Sequence, residues 1–441
     1  MEENMLKAGF KEIDYTPLEG FMPGEYDPYY ARGARLPLQA NAGVFTNGAQ
    51  TVIIVAMDHL EIMKDYADDV RGRISEATGV PSENIWLVAN HTHTGANMGV
   101  QFMKTPAEPE VAGIIAQRTV KAAVEAFGDQ KEVTLSYGDT EEKRYSFCRN
   151  WVLKNGSFVT SPGYDRTDLD HPMVEPDYSV QIMKVEQEGK VVAIMVNYAN
   201  HPDCHRGYER DKFSPDYPGY MREALKNKYG RDVVVLFFNG CCGDINDRDF
   251  ENGTDRTGHR RDGVCPPEVI GDGIADSIIN VFDSLKAYAG EDIVKAQSRV
   301  ITVNSRKLTE KQREYAYRLK AKAENEYLNC YELETMKRYL KGIEYTPETV
   351  DIEIGAMRVG PWAMLSIPGE VYTVIGKTIK ENSPYENTII SELTNGSYGY
   401  IVPDGEDMSN TYEGGFGAGD CGEGTATAII EIADKMLREM K

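Results

Sequence analysis

Short unbroken apolar runs alternate along the chain with longer stretches whose apolar residues recur at helical spacing. The clearest runs are Thr51 to Met57, Ile85 to Ala89, Val191 to Val196, Val233 to Phe238, Ala363 to Ile367 and Asn387 to Ile390. Such runs predict buried strands. The stretches Tyr66 to Thr78, Val111 to Phe127, Tyr217 to Lys228, Gly271 to Leu285, Val371 to Asn382 and Ala426 to Met440 predict helices covering them. Thr309 to Gly342 differs in being dense in Lys, Arg, Glu and Tyr, with Leu319, Ala323, Leu333, Met336 and Leu340 at mostly helical spacing. It predicts one or two solvated amphipathic helices ending at Gly342. The pattern implies a mixed α/β fold, with β-sheets flanked by helices. No linker, low-complexity tract or fixed-period repeat interrupts it, so a single domain over 1–441 is expected.

Open α/β sheets bind ligands beyond the carboxyl ends of their strands, so the residues just past each run carry information. Ile85 to Ala89 leads into Asn90-His91-Thr-His93-Thr-Gly95. Val191 to Ala199 leads into Asn200-His201-Pro-Asp203-Cys-His205, and Val233 to Phe238 into Asn239-Gly-Cys-Cys-Gly-Asp244. Ala363 to Ile367 reaches Pro368-Gly-Glu370, and the Asn387 run continues to Tyr398-Gly-Tyr400. Five strands thus bring metal-capable or acid/base groups to one rim. In an extended segment His91 and His93 point to one side with Cα atoms about 6.5–7 Å apart, so one can bind a metal while the other faces a substrate. Four of the seven histidines fall in two short post-strand segments, which favours function over ordinary rim histidines. Glu370 equally suits a bare helix N-terminus, and Tyr400 a half-buried aromatic with a wet hydroxyl. Position alone does not make either a ligand.

Charge narrows the partners. With 48 Lys and Arg against 70 Asp and Glu, the formal net charge is −22. Such a balance repels phosphate backbones and anionic membrane faces, so nucleic acid is not expected and a small-molecule substrate is. Seven cysteines in this length argue against a disulfide framework. Neither a signal peptide nor an apolar span of about 18 residues is present, so a soluble cytoplasmic protein without stable membrane insertion is expected.

Several motifs lack the residues their chemistry needs. Tyr412 to Gly424 is glycine-rich but lacks the Gly-Lys-Ser/Thr of a phosphate cradle, and reads instead as a substrate-facing loop. Asp247-Arg-Asp249-Phe-Glu251 begins like a calcium loop but has Asn252 and Gly258 where Gly and Glu are needed. Asp247 to Arg261 and Tyr412 to Gly424 are both expected to shape the pocket mouth. Cys241-Cys242 lacks a second pair for zinc and reads as small buried residues. No Gly-x-Ser-x-Gly elbow is present.

Ordered fragments along nearly the whole chain resemble the neutral/alkaline non-lysosomal ceramidases and their bacterial relatives of unassigned substrate. They include Gly9 to Pro17, Asp58, His91 to Gly95, Asn200-His201-Pro202, Ser214 to Gly219, Phe238 to Asp244, Pro368-Gly-Glu370, Tyr398 to Tyr400 and Tyr412-Glu413. The resemblance implies a ceramidase-like N-terminal catalytic domain with one zinc ion on His91, His201, Glu370 and Tyr400, a set that iron, manganese and nickel also accept. In that family a metal-activated water attacks an amide carbonyl. His93 would then shuttle a proton or polarise the carbonyl, Tyr412 would donate to the oxyanion, and Arg149 would reach the substrate's polar groups. Two departures stand out. Gly240 occupies the place of a family serine, so covalent serine catalysis is not expected, and neither is the family's C-terminal immunoglobulin-like domain. The resulting expectation is a zinc-dependent amidohydrolase acting on an N-acyl substrate smaller or more polar than ceramide. A metal-dependent esterase or lactonase acting on a carbohydrate-derived or other small molecule, and a binding protein without turnover, are the alternatives.

Overall fold

The computed structural model describes residues 5–23, 28–98, 105–163, 166–205, 210–251, 265–405 and 408–441. Three sheets carry the site. The first runs Ile85–Ala89, Thr51–Met57, Gln39–Thr46, Lys7–Asp14 and Lys131–Glu132 from edge to edge. The second runs Val234–Asn239, Lys190–Tyr198, Ser179–Gln187, Thr134–Glu141 and Lys286–Ala287, and the third Val294–Asn304, Thr349–Val359, Trp362–Ile367 and Thr388–Glu392.

Each sheet is antiparallel except for one parallel pair at an edge: Ile85–Ala89 with Thr51–Met57, Val234–Asn239 with Lys190–Tyr198, and Thr388–Glu392 with Trp362–Ile367. These six strands are the six apolar runs of the sequence. They are legible because both faces of a parallel pair are covered, which demands continuous hydrophobicity. The antiparallel strands escape that pattern for two reasons: Val294–Asn304 leaves most of its residues partly or fully exposed, and buried Gln39–Thr46 is broken up by Gln39, Asn41 and Gly43.

The three parallel edges meet in the middle, where Val234–Asn239 packs against Thr388–Glu392, Thr51–Met57 and Ile85–Ala89. Between them lies a core that includes Phe45, Trp86, Leu236, Phe238, Trp362 and Met364. Phe238 and Trp362 meet edge to face with ring centroids 6.4 Å apart, the arrangement favoured by the aromatic quadrupole. Helix pairs cover the outer faces. Lys64–Thr78 and Pro109–Gly128 pack on the first sheet, Asp216–Tyr229 and Pro267–Val281 on the second, Thr373–Asn382 and Thr425–Glu439 on the third. The first of these stops at Gly79, which takes the left-handed conformation (φ 74°) that ends helices readily in glycine.

The charged segment forms two helices, Glu310–Ala323 and Cys330–Glu344, each opened by a capping box, on Thr309 and on Asn329. The second ends at Glu344 rather than at Gly342. Gly342 lies inside the helix, where the Phe416 ring leaves no room for a side chain. No helix among the described residues is long and apolar enough to cross a membrane. Residues 252–264, which include most of the Asp247 to Arg261 segment expected at the pocket mouth, lie outside the described residues.

Candidate metal centre

His91 follows Ile85–Ala89, His201 follows Lys190–Tyr198 and Glu370 follows Trp362–Ile367, so each sheet hands over one residue from its parallel pair. Nε2 of His91 lies 3.0 Å from Nε2 of His201, which lies 3.1 Å from Nε2 of His93. Oε2 of Glu370 stands 3.2 Å from the His91 nitrogen and 3.9 Å from that of His201. Ligands around one tetrahedral zinc, at about 2.0–2.1 Å each, sit roughly 3.3 Å apart. Oε2 of Glu370 is buried and paired with the His91 ring at 3.2 Å. A buried carboxylate oxygen beside the His91 and His201 nitrogens, with His93 clustered against them, is a donor set that suits a cation.

The segment carrying His91 and His93 is not extended, contrary to the two-residue spacing argument. His91 adopts φ 71°, a left-handed conformation that costs a non-glycine residue about 1 kcal/mol or more. Surrounding bonds hold it there. The His91 N–H donates to the His59 carbonyl at 2.8 Å, and Asn90 Oδ1 accepts from the N–H groups of His59 and Thr92. Asn90 in turn donates to Asp58, which forms a buried pair with Arg222 at 2.8 Å. Asp58 is therefore scaffold beneath the centre.

Outer partners orient each ring, as ligand histidines require. Nδ1 of His91 is 2.8 Å from the Leu60 carbonyl, leaving Nε2 to face the centre. Nδ1 of His201 turns to Cys242 Sγ at 3.8 Å, and that thiol donates to Glu392 Oε1 at 2.9 Å. Asp203 lies 3.9 Å behind Nδ1 of His93.

Electrostatics separate the three imidazoles. Burial opposes charge on His91, but Glu370 outweighs it and holds the ring up at about 9. His93 is pushed down to about 3, chiefly by burial. Burial and the neighbouring His91 and Arg149 also push His201 well below its ordinary range. Against the upward push of burial, His91, the Tyr400 hydroxyl and Arg149 hold the Glu370 carboxyl below the usual range. Burial lifts Glu392 to about 7.

Glu370 and Tyr400 meet through local pairing that sequence periodicity does not show. Glu370–Val371 is a two-residue strand, not the start of a helix, and the helix begins at Thr373. It pairs in parallel with Tyr400–Ile401, placing Glu370 opposite Tyr400. The strand Thr388–Glu392 ends well before Tyr400, so the two are separate elements.

A cavity of about 240 Å³ opens onto the centre, lined by His91, His93, Glu370, Tyr400 and Tyr412 among others. The Gly417 to Asp420 stretch of the glycine-rich loop forms part of its wall. Tyr412 is half exposed, with its ring centroid 5.7 Å from that of Tyr400. Arg149 does not line the cavity. It lies behind Tyr400, with Cζ 5.4 Å from the ring centroid, Nε donating to buried Glu413 at 2.7 Å and Nη2 to the Gly243 carbonyl at 2.8 Å. Sequence reasoning missed Glu392, Glu413 and the thiol of Cys242. For Cys242 the only signal was its place after a buried strand, and for Glu413 its adjacency to Tyr412.

No protein-family model matches the chain, and no curated protein matches its sequence. Solved structures do match. The neutral ceramidase from Pseudomonas aeruginosa superposes with a TM-score of 0.72 at 16% identity, over 98% of this chain and 74% of that one. A ceramidase complexed with C2 gives 0.73 at 16% identity, over 99% and 75%. The fold is that of neutral ceramidases, as the sequence resemblance implied.

Proposed function

We propose that this protein is a zinc-dependent hydrolase of an amide bond in an N-acyl compound smaller or more polar than ceramide. His91, His201, Glu370 and Tyr400 would hold the ion, with His93 beside them. The observation that carries the reading is the cluster of three imidazole nitrogens, of His91, His93 and His201, with the Glu370 carboxylate against two of them. A divalent ion bound there supplies a Lewis acid and the means to deprotonate water near neutral pH.

The chain's own residues account for the rest. Burial keeps His93 neutral, and its Nε2, which stands 3.1 Å from that of His201, would be the ring atom that takes a proton from water. Asp203, 3.9 Å behind Nδ1, stabilises the imidazolium that results. That proton then passes to the amine nitrogen as the C–N bond breaks and water's oxygen stays on the acyl carbon. Tyr412, on the cavity wall, donates to the carbonyl oxygen as its charge grows, and one such donor is worth about 3 kcal/mol. Arg149 acts as a positioning residue, holding Tyr400 from behind through its fixed pair with Glu413. A cavity of about 240 Å³ fits a compact substrate better than a long acyl chain, since pockets for drug-sized ligands run from about 300 to 1,000 Å³.

Metal analysis of the purified protein after zinc supplementation, with turnover measured on matched amide and ester substrates, tests this reading. About one equivalent of zinc and a preference for amides are expected, both lost in His91→Ala. Less than about half an equivalent of any divalent ion defeats it, and a preference for esters moves the assignment to an esterase or lactonase.

A further inference from the structure

The helical hairpin Glu310–Ala323 and Cys330–Glu344 takes no part in the metal centre, yet it reaches the same cavity. Its second helix presses on the glycine-rich loop. A Cβ at Gly342 would stand 2.4 Å from the Phe416 ring, and one at Gly417 2.2 Å from Cδ of Arg338. Glycine at both positions is what lets helix and loop approach, and the approach sets Arg338 into the cavity wall.

Arg338 is the sole lysine or arginine among the described residues lining that cavity. Its Nη1 makes one long bond, 3.4 Å, to the Gly417 carbonyl, and its Nε is buried without an acceptor. No carboxylate among the described residues lies within ion-pairing distance of it. The cavity's own acids do not supply one: Glu61 accepts a 2.6 Å bond from Ser397, and burial raises both Glu61 and Asp420 towards their neutral forms. A guanidinium cannot discharge itself in that way, and its planar fork of donors matches a carboxylate. The wall therefore presents a fixed, under-used positive charge beside a reaction centre.

We propose that Arg338 is a specificity-determining residue that binds a carboxylate of the substrate, so that the compound cleaved is a small N-acyl amino acid or a comparable amide bearing a carboxylate. This rests on the hydrolase reading above, but its test does not need turnover. Binding of N-acetylglycine and of its neutral counterpart N-acetylglycinamide to the zinc-loaded protein is measured by calorimetric titration, for the unaltered chain, Arg338→Gln and Arg338→Lys. The unaltered chain is expected to favour the acid by about tenfold or more, Arg338→Gln to bring the ratio close to one, and Arg338→Lys to restore part of it. Where cleavage occurs, Arg338→Gln is expected to act on the acid mainly through KM. Equal binding of N-acetylglycine by the unaltered chain and Arg338→Gln overturns the inference, because the acid would then be held by the metal alone. An Arg338-dependent preference without any amide cleavage upholds the inference and defeats only the hydrolase reading.

Discussion

Replacing Glu370 by glutamine separates the charge it supplies from the shape it fills. In the metal-free protein Glu370 holds His91 up at about 9, so at pH 7.5 roughly 97% of that ring carries a proton, against roughly 9% for an ordinary histidine. A ligand nitrogen must give up its proton to bind a metal. Zinc loading at pH 7.5 therefore releases about one proton from His91 in the unaltered chain and distinctly less in Glu370→Gln, where burial opposes the proton and only Glu392 and the Leu60 carbonyl still favour it. The assay is calorimetric zinc titration in buffers of different ionisation enthalpy, with chelator competition to keep affinities in range. The direction with pH is set by the same coupling. A raised histidine stabilises the metal-free fold fully below its ordinary value of 6.5, and that contribution is lost as pH climbs through about 9. Across the same window zinc affinity gains about tenfold per unit, because the competing proton is leaving. Equal proton release from the two proteins refutes the His91–Glu370 coupling on which the centre's electrostatics rest.

Cys242→Ala removes the thiol between Glu392 and His201 and is expected to weaken zinc binding by about 10- to 100-fold in chelator competition; unchanged affinity would show that the thiol does not orient the ring. Glu413→Ala strands buried Arg149 and should cost about 3–5 kcal/mol in urea unfolding, whereas Arg149→Met combined with Glu413→Leu should cost much less than the two single losses together. Additive losses would contradict that. Gly417→Ala must adopt φ 82° and displace Arg338, so a loss of about 1–2 kcal/mol is expected, read as a lower melting temperature; no change would mean the helix and loop are not tightly apposed.

The sequence exposed the parts of this site that depend on continuous burial. His91 and His201 stand directly after parallel strands whose hydrophobicity is unbroken, so the runs point at them. Glu370 and Tyr400 were legible only through resemblance, because a two-residue pairing, Glu370–Val371 with Tyr400–Ile401, leaves no periodicity to read. Val294–Asn304 is hard to read because a half-wet strand does not stand out from loops, and Gln39–Thr46 because polar Gln39 and Asn41 interrupt its buried run. Cys242 lacks a second cysteine pair in sequence, and its partner Glu392 lies 150 residues away and becomes a neighbour only when the second and third sheets meet. Arg338 was hidden among the surface charges of an amphipathic helix, and only a glycine in another segment reveals that this helix reaches the cavity.

The central claim is that one ion bridges three sheets, and a crystal of the zinc-supplemented protein measured on both sides of the zinc absorption edge tests it most directly. A single anomalous peak about 2.0–2.2 Å from His91 Nε2, His201 Nε2, Glu370 and the Tyr400 hydroxyl, with a coordination position left open to the cavity, is the predicted result. A map without a peak there, or with an ion whose every position is filled by protein, would contradict it.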